Sequence, residues 1–216
     1  YGYKADGLFQ TAAEVEHSPT LNNQVRPGDV KYLDISGPDG VPDGLISPEY
    51  DRVLLGGSLP RYIYGGNVRL GYRNLDFSMV IQGVGKQLSR ITGSMVGSTS
   101  SGDIPKFVVG KYWSAYNSAE GNLNAMYPRF SSNSNNYTVS DFWLINGAYF
   151  RLKNITLGYT IPQQRMDRLN IQSLRLFVNA TDLFSLDRFP QGWDPEGSPS
   201  NYWMTSLFSF GISLTL

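Results

Sequence analysis

From Ser206 to Leu216 the chain alternates strictly: Phe208, Phe210, Ile212, Leu214 and Leu216 fall on one face, and Ser209, Gly211, Ser213 and Thr215 on the other. A period of two is that of an extended strand with different surroundings on its two sides. The polar members are short and uncharged, as on the lumen side of a membrane barrel, and the segment reaches the about 9 to 11 residues with which a tilted strand crosses a bilayer. Four upstream segments repeat the pattern. Leu174 to Asp182 sets Leu174, Leu176, Val178 and Ala180 against Arg175, Asn179 and Thr181, with Phe177 as the exception. Ile155 to Ile161 sets Ile155, Leu157, Tyr159 and Ile161 against Asn154, Thr156, Gly158 and Thr160. Tyr62 to Arg73 sets Tyr62, Tyr64, Val68, Leu70 and Tyr72 against Gly65, Asn67, Arg69, Gly71 and Arg73. Leu75 to Gly85 sets Leu75, Phe77, Met79 and Ile81 against Asp76, Ser78 and Gln82, and a tight hairpin at Arg73-Asn74 joins it to the preceding segment. A soluble sandwich and a membrane barrel both satisfy this alternation.

The connections separate the two. They run short at Asn74, long over 86–147, short over 163–172 and long over 184–205. Barrels of the outer membrane have short periplasmic turns and long external loops. With the last strand ending in the periplasm, every short turn falls on the periplasmic side and every long loop outside, whereas a sandwich has no reason to sort its loops this way. Tyr62, Tyr64, Tyr72 and Tyr159 lie near strand ends on the apolar face, where an interfacial girdle sits. Five strands cannot close a barrel, and an open edge in lipid leaves backbone groups unsatisfied. The expectation is therefore an all-β, transmembrane antiparallel β-barrel, of which this chain is a carboxyl-terminal section of about five strands. Residues 1–61 are then an extracellular loop region following a strand outside this chain, and residues 62–216 hold the last five transmembrane strands, with extracellular loops 86–147 and 184–205.

Composition narrows the partners. Basic and acidic residues balance at 18 each, which gives no footprint for nucleic acid. No apolar run reaches the length of a membrane helix, so lipid has to be met by strands. The chain starts on Tyr1 without a leader, so an exported protein would be present here as a processed form or a piece. With no Cys, a disulfide framework and a thiolate metal site are excluded.

The run Ser140-Asp141-Phe142-Trp143-Leu144-Ile145-Asn146-Gly147-Ala148-Tyr149-Phe150-Arg151-Leu152-Lys153-Asn154-Ile155-Thr156-Leu157-Gly158-Tyr159 resembles the carboxyl-terminal hallmark of the SusC/RagA family of TonB-dependent outer-membrane transporters. Four further pieces fit the same family in order: Pro27-Gly28-Asp29-Val30-Lys31-Tyr32, the Asp/Gly run from Asp34 to Gly44, Asn179-Ala180-Thr181-Asp182-Leu183-Phe184, and Gly192-Trp193-Asp194-Pro195-Glu196. The resemblance implies a barrel of about 22 strands with a plug inside, energised by TonB and capped by a SusD-like surface lipoprotein. It implies import of oligosaccharides or oligopeptides across the outer membrane of Bacteroidetes-type bacteria, with no enzymatic activity and no cofactor. The plug and TonB box of the family have no counterpart in this sequence, and the last residue is Leu216 where such barrels often end on an aromatic.

The same reading gives candidate sites. Asn67, Arg69, Asp76, Gln82, Asn154, Arg175 and Asn179 fall on the polar strand faces and are expected to face the lumen. Trp113, Tyr116, Trp143, Trp193 and Trp203 stand among Ser and Asn in the long loops, a mixture that suits sugar or peptide ligands or a docked lid, and equally suits loop-on-loop packing. Asp34, Asp39 and Asp43 have the look of a calcium loop, but an extra residue, a Pro and the missing closing Glu favour a turn built from Asp, Gly and Pro. His17 is the single His, which leaves no Ser/His/Asp system, and the Asp194/Glu196 pair reads better as a turn than as a glycosidase acid and base. The competing architecture is a secreted, soluble β-sandwich displaying aromatic loops for glycans.

Overall fold

A computed structural model describes residues 1–91, 104–166, 171–197 and 204–216. The strands run β1 (Gly2–Tyr3), β2 (Ala5–Leu8), β3 (Val30–Tyr32), β4 (Arg52–Val53), β5 (Tyr62–Tyr72), β6 (Leu75–Gly85), β7 (Leu88–Arg90), β8 (Leu144–Asn146), β9 (Tyr149–Thr160), β10 (Ser173–Leu186) and β11 (Leu207–Thr215). They belong to two compact units, one of residues 1–58 and 89–145, the other of residues 59–88 and 146–216.

The second unit is an antiparallel meander, β5-β6-β9-β10-β11, each strand paired with its sequence neighbours in the sheet. The tight hairpin at Arg73-Asn74 is present: Tyr72 pairs with Leu75, and Arg73 takes the left-handed φ of 53° that a two-residue turn requires. Asn74 Nδ2 donates to the Thr160 carbonyl at 2.9 Å, tying this turn to β9. Pairing of Val84 with Tyr149, of Phe150 with Leu186 and of Tyr62 with Gly85 puts the starts or ends of the long connections at one end of the sheet. The short connections leave from the other end.

Register then sorts the faces. Val68, Met79, Ile155, Ala180 and Phe208 follow one another across the sheet, as do Tyr72, Leu75, Tyr159, Leu176 and Ile212. On the reverse face run Arg69, Ser78, Thr156, Asn179 and Ser209. The apolar face is bare: Phe208, Phe210, Ile212 and Leu214 of β11 are all exposed, Phe210 to 84%. Among the described residues the five long strands of this unit form a single sheet rather than the two packed layers of the sandwich alternative.

Two strands are longer than their alternation suggested, β9 beginning at Tyr149 and β10 running to Leu186. The cause is a pair of bulges. Lys153 is an extra residue between Asn154 and Leu152 relative to β6, and opposite it Asp182, at a φ of 49°, and Leu183 interrupt the pairing of β10. A bulge resets the phase of a strand. Extending the odd-numbered apolar set of Ile155, Leu157 and Tyr159 backward would put Lys153 and Arg151 on the apolar face. With the reset, Phe150 and Leu152 take that face and Arg151 joins Gln82 and Ser185 on the polar one.

Phe177, the exception in the pattern, stands on the polar face between Gly158 of β9 and Gly211 of β11. A Cβ at Gly211 would collide with its ring, so that glycine provides the room that lets an aromatic lie over the neighbouring strand.

The first unit inverts this arrangement, with its apolar side chains inside. Tyr3, Leu8, Val30, Tyr32 and Ile46 form its core, and Trp113, Ala125 and Phe142 pack against it. β2 pairs with β3, β1 with β4 and β7 with β8. Residues expected to be two separate loops are thus folded together as one body.

Candidate functional site

The polar face of the sheet carries all seven residues expected to line a lumen. Asp76 on β6 and Arg175 on β10 reach each other across the intervening β9, Arg175 Nε donating to Asp76 Oδ1 at 2.9 Å and Nη2 to Oδ2 at 2.5 Å. The bridge passes over Gly158, where a Cβ would meet the Asp76 carboxylate and stand 2.5 Å from Arg175 Nη2. The Arg175 guanidinium also stacks on Phe177, 5.0 Å from the ring centre. Beside it Asn179 Nδ2 donates to Asn154 Oδ1 at 3.0 Å and to Thr156 Oγ1 at 2.7 Å. Asn67, Arg69 and Gln82, with Ser78, line an open groove of about 450 Å³ at the Gly65-Gly66 pair of β5.

At the long-connection end of this face the residues sort into an ionic cluster that the sequence reading did not anticipate. Arg151 is 3% exposed. Its Nη2 donates to Asp194 Oδ2 at 2.6 Å and its Nη1 to Glu196 Oε2 at 3.3 Å. Lys153 Nζ donates to the same Glu196 oxygen at 2.8 Å and to Asp182 Oδ1 at 2.9 Å. The bulges aim these groups: without them Lys153 and Asp182 would sit in register on strands whose side chains alternate away from the cluster. Asp194 and Glu196 do form the expected turn, with the Glu196 and Gly197 amides donating to Asp194 Oδ1 at 2.8 Å and to the Asp194 carbonyl at 3.1 Å. One oxygen of each carboxylate, Asp194 Oδ2 and Glu196 Oε2, is engaged by a cation, which suits an ion-paired turn better than a free acid and base pair.

In the first unit a buried hydrogen-bond hub joins residues 26–32 to residues 129–143. Asp29, fully buried, lies 2.7 Å from Arg129 Nε and accepts from the Arg26 amide and from Asn136 Nδ2, each at 2.9 Å. Asn136 Oδ1 accepts from the Val30 amide at 2.9 Å, Asn135 Nδ2 donates to the Val30 carbonyl at 2.8 Å, and Tyr32 Oη donates to the Asn135 carbonyl at 2.6 Å. Burial pushes the Tyr32 phenol far above its ordinary pKa, so it remains a donor at every physiological pH.

Two of the loop aromatics belong to this interior. Trp143 is 2% exposed, stacks on Tyr127, meets Phe142 edge-on and donates Nε1 to the Asn136 carbonyl at 2.7 Å. Trp113 covers Gly28, whose φ of 88° and missing Cβ allow the contact, and donates Nε1 to Gln10 Oε1 at 3.3 Å. Both rings are occupied by packing. Tyr116, by contrast, is 99% exposed, Trp193 is partly exposed on the turn before Asp194, and Trp203 lies outside the described residues.

Nor do Asp34, Asp39 and Asp43 assemble a cation cage. Asp34 Oδ2 accepts from the Gly44 amide at 2.6 Å, Asp43 Oδ1 from the Leu45 amide at 3.0 Å, and Asp39 is exposed at the loop tip. Among the described residues no three acidic or His side chains converge on a metal position. The organising carboxylate is instead Asp51, which accepts from the amides of Ile35 at 2.7 Å, Ser36 at 3.2 Å and Ser47 at 2.7 Å. Burial alone would raise its pKa, but these amide donors outweigh it and hold the carboxyl below its usual value.

Comparison with known proteins bears on both units. The chain is 30% identical over 201 residues to TonB-dependent receptor P26 and 29% identical over 202 residues to TonB-dependent receptor P3, both of Formosa agariphila, matches that take in 91% and 93% of this chain. Its fold superposes on that of the RagAB peptide transporter with a TM-score of 0.67, and on the RagAB peptide importer in the open-open state with 0.65, at 16% identity in each case. These matches take in 99% and 100% of this chain and 22% of each solved chain. The chain belongs to the SusC/RagA-type TonB-dependent transporters. No family model matches it. It spans about a fifth of the length of the receptors it matches, 19% of each.

Within a SusC/RagA-type chain the resemblant segments acquire physical roles. The hallmark run supplies Trp143 to the buried hub and Arg151 and Lys153 to the ionic cluster. Asn179 to Phe184 supplies the bulge and Asp182, and Gly192 to Glu196 supplies the two carboxylates that close on Arg151. Pro27 to Tyr32 supplies Gly28 under Trp113 and Asp29 under Arg129. Segments far apart in sequence thus meet in pairs. Spacing along a chain shows that such segments exist, but not which of them touch.

Proposed function

We propose that this chain forms a section of the wall, with its external loops, of a TonB-dependent importer in a bacterial outer membrane. One observation carries the reading: a single sheet with a bare apolar face and a hydrogen-bonded polar face. In water such an apolar expanse has no stable surroundings, whereas acyl chains cover it at no cost in hydration. The sheet is the carboxyl-terminal part of a barrel of about 22 strands, and other strands of the receptor pair with the free edges of β5 and β11. Asn67, Arg69, Asp76, Gln82, Asn154, Arg175 and Asn179 then face the lumen, towards a plug or the permeation path.

Residues 1–61, 86–147 and 184–205 lie outside the cell, where the exposed Tyr116 and the turn that carries Trp193 face a SusD-like lipoprotein or cargo. The cargo is an oligosaccharide or an oligopeptide, moved by TonB acting on the plug and not by chemistry on the ligand. The kinship with receptors and the fold shared with a peptide importer support transport over catalysis.

Purification of the full-length receptor from its native membrane tests this. It should sediment with outer membranes, require detergent for release, shift in gel mobility on heating as closed barrels do, and carry a surface lipoprotein and its cargo into mass spectrometry. Recovery of the receptor as a water-soluble monomer would sink the reading.

A further inference from the structure

The connection between β10 and β11 starts with Asp187 and carries Asp194 and Glu196 back over the polar face to Arg151 and Lys153. We infer that residues 187–197 form a strap folded inward onto the barrel wall, anchored by Arg151 and Lys153, so that this external loop narrows the passage instead of standing clear of it. The inference rests on the reading of the polar face as lumen.

Three observations carry it. First, direction: Arg151 shares the polar face with Gln82 and Ser185 by register, so the carboxylates that meet its guanidinium lie on that side of the sheet and not over the apolar one. Second, enclosure: the side chains of Arg151, Asp182, Asp194 and Glu196 are each less than a fifth exposed, at 4%, 15%, 13% and 16%. Buried charges hold together strongly because separating them strands each one unpaired. The wall would keep only Asp182 to share between Arg151 and Lys153 if the strap lifted away. Third, construction: two bulges on neighbouring strands bring Arg151, Lys153 and Asp182 to one place, and bulges are used to re-aim side chains. On the strap side, the turn closed by the Trp193 amide on the Pro190 carbonyl at 3.0 Å and by the Glu196 amide on Asp194 presents both carboxylates in the same direction. Arg151 is therefore a positioning residue: it acts on the passage through the loop that it holds, which also fixes where the Trp193 ring stands.

The strap contains a built-in reporter, Arg188: the half-buried Phe189 that follows it is held by its amide donating to Asp187 Oδ1 at 3.0 Å, so trypsin reaches the bond after Arg188 faster when the segment comes loose. The experiment uses the full-length receptor in outer-membrane vesicles and the variant Asp194→Asn with Glu196→Gln, which removes the strap's charges and leaves the wall's residues in place. Cleavage after Arg188, followed by mass spectrometry, should accelerate about tenfold or more, since cutting tracks the population of the opened segment. A spin label at Gln191 should sharpen to a mobile spectrum in the same variant. The amount of heat-modifiable barrel should stay at the parent level, and Asp194→Glu alone should stay protected. Equal cleavage in parent and variant, both as folded barrels, overturns the strap and leaves the importer reading intact. Loss of the barrel in the charge-neutral variant also overturns it, because the carboxylates would then serve the wall's own folding. Failure of the parent to behave as an outer-membrane barrel is the separate failure of the importer reading.

Discussion

The sheet of residues 59–88 and 146–216 and the unit of residues 1–58 and 89–145 use the same kinds of side chain in opposite senses. In the sheet the large apolar groups are outermost, with Phe208, Phe210 and Ile212 exposed, and the hydrogen-bonded polar groups lie on the other face. In the other unit Val30, Tyr32 and Trp143 are inside, and so are Asp29, Asn135 and Asn136, each with polar partners. On the importer reading, the difference teaches that burial in this chain is defined by two solvents. Where water surrounds a body, apolar groups leave it and any enclosed polar group needs a partner. Where lipid does, the exposed face carries the apolar groups and the polar ones gather on the side away from it.

The contrast can be broken most forcefully at Asp29. Replacing it by Ala in the full-length receptor strands Arg129, a loss of about 3–5 kcal/mol, and should raise amide exchange across residues 26–32 and 129–143 while the β9 and β10 amides stay protected. Exchange that spreads equally over both sets would mean that the two units do not have separate stabilities.

A somewhat smaller effect is expected on the bare face. Phe210→Arg puts a cation into lipid at about 2–4 kcal/mol and should cut the yield of heat-modifiable barrel, whereas Ser209→Arg, one residue away on the polar face, should be tolerated. Similar losses from both would remove the distinction between the faces. Gly158→Val sharpens the account of the polar face itself. Its side chain drives into Asp76 and Arg175 and should lower the urea midpoint by an overpacking cost of about 1–3 kcal/mol, while Gly71→Val, with open space around it, should leave the midpoint nearly unmoved.

The mildest effect concerns acid. Asp51 has a folded pKa below its usual value, so its contribution is complete above the unfolded value of about 3.9 and is lost as the pH falls through the lower folded one. Resistance of residues 34–51 to an acid-stable protease should therefore fall below about pH 4 in the parent. Asp51→Asn should be less resistant at neutral pH and flatter across that range, and a parent curve as flat as the variant's would contradict the assignment.

How far the sequence could be read follows from the same physics. β5, β6 and β11 were legible almost to their end residues because unbroken alternation needs only the two-residue period of a strand. The beginnings of β9 and the end of β10 were not, since the bulges at Lys153 and Asp182 shift the phase and hide the apolar Phe150, Leu152, Phe184 and Leu186 from any fixed-period reading. Phe177 looked like an error in the pattern because its justification, the glycine at 211, lies on another strand. Among the site residues, Trp113 and Trp143 carry the composition of a ligand surface but are occupied by packing, and Arg151 gave no sign of its carboxylate partners some forty residues downstream.

By itself, then, the sequence determined the period, the two-faced character of five strands, the sorting of short and long connections and the family resemblance, because each is a property of neighbouring residues or of segments in order. Only the tertiary structure decided which rings are buried, that the residues on either side of the first hairpin fold into one body, and that Arg151, Lys153, Asp182, Asp194 and Glu196 meet. Those outcomes depend on register and bulges, which set distances between residues remote in the chain, and no local pattern of side chains encodes a distance of that kind.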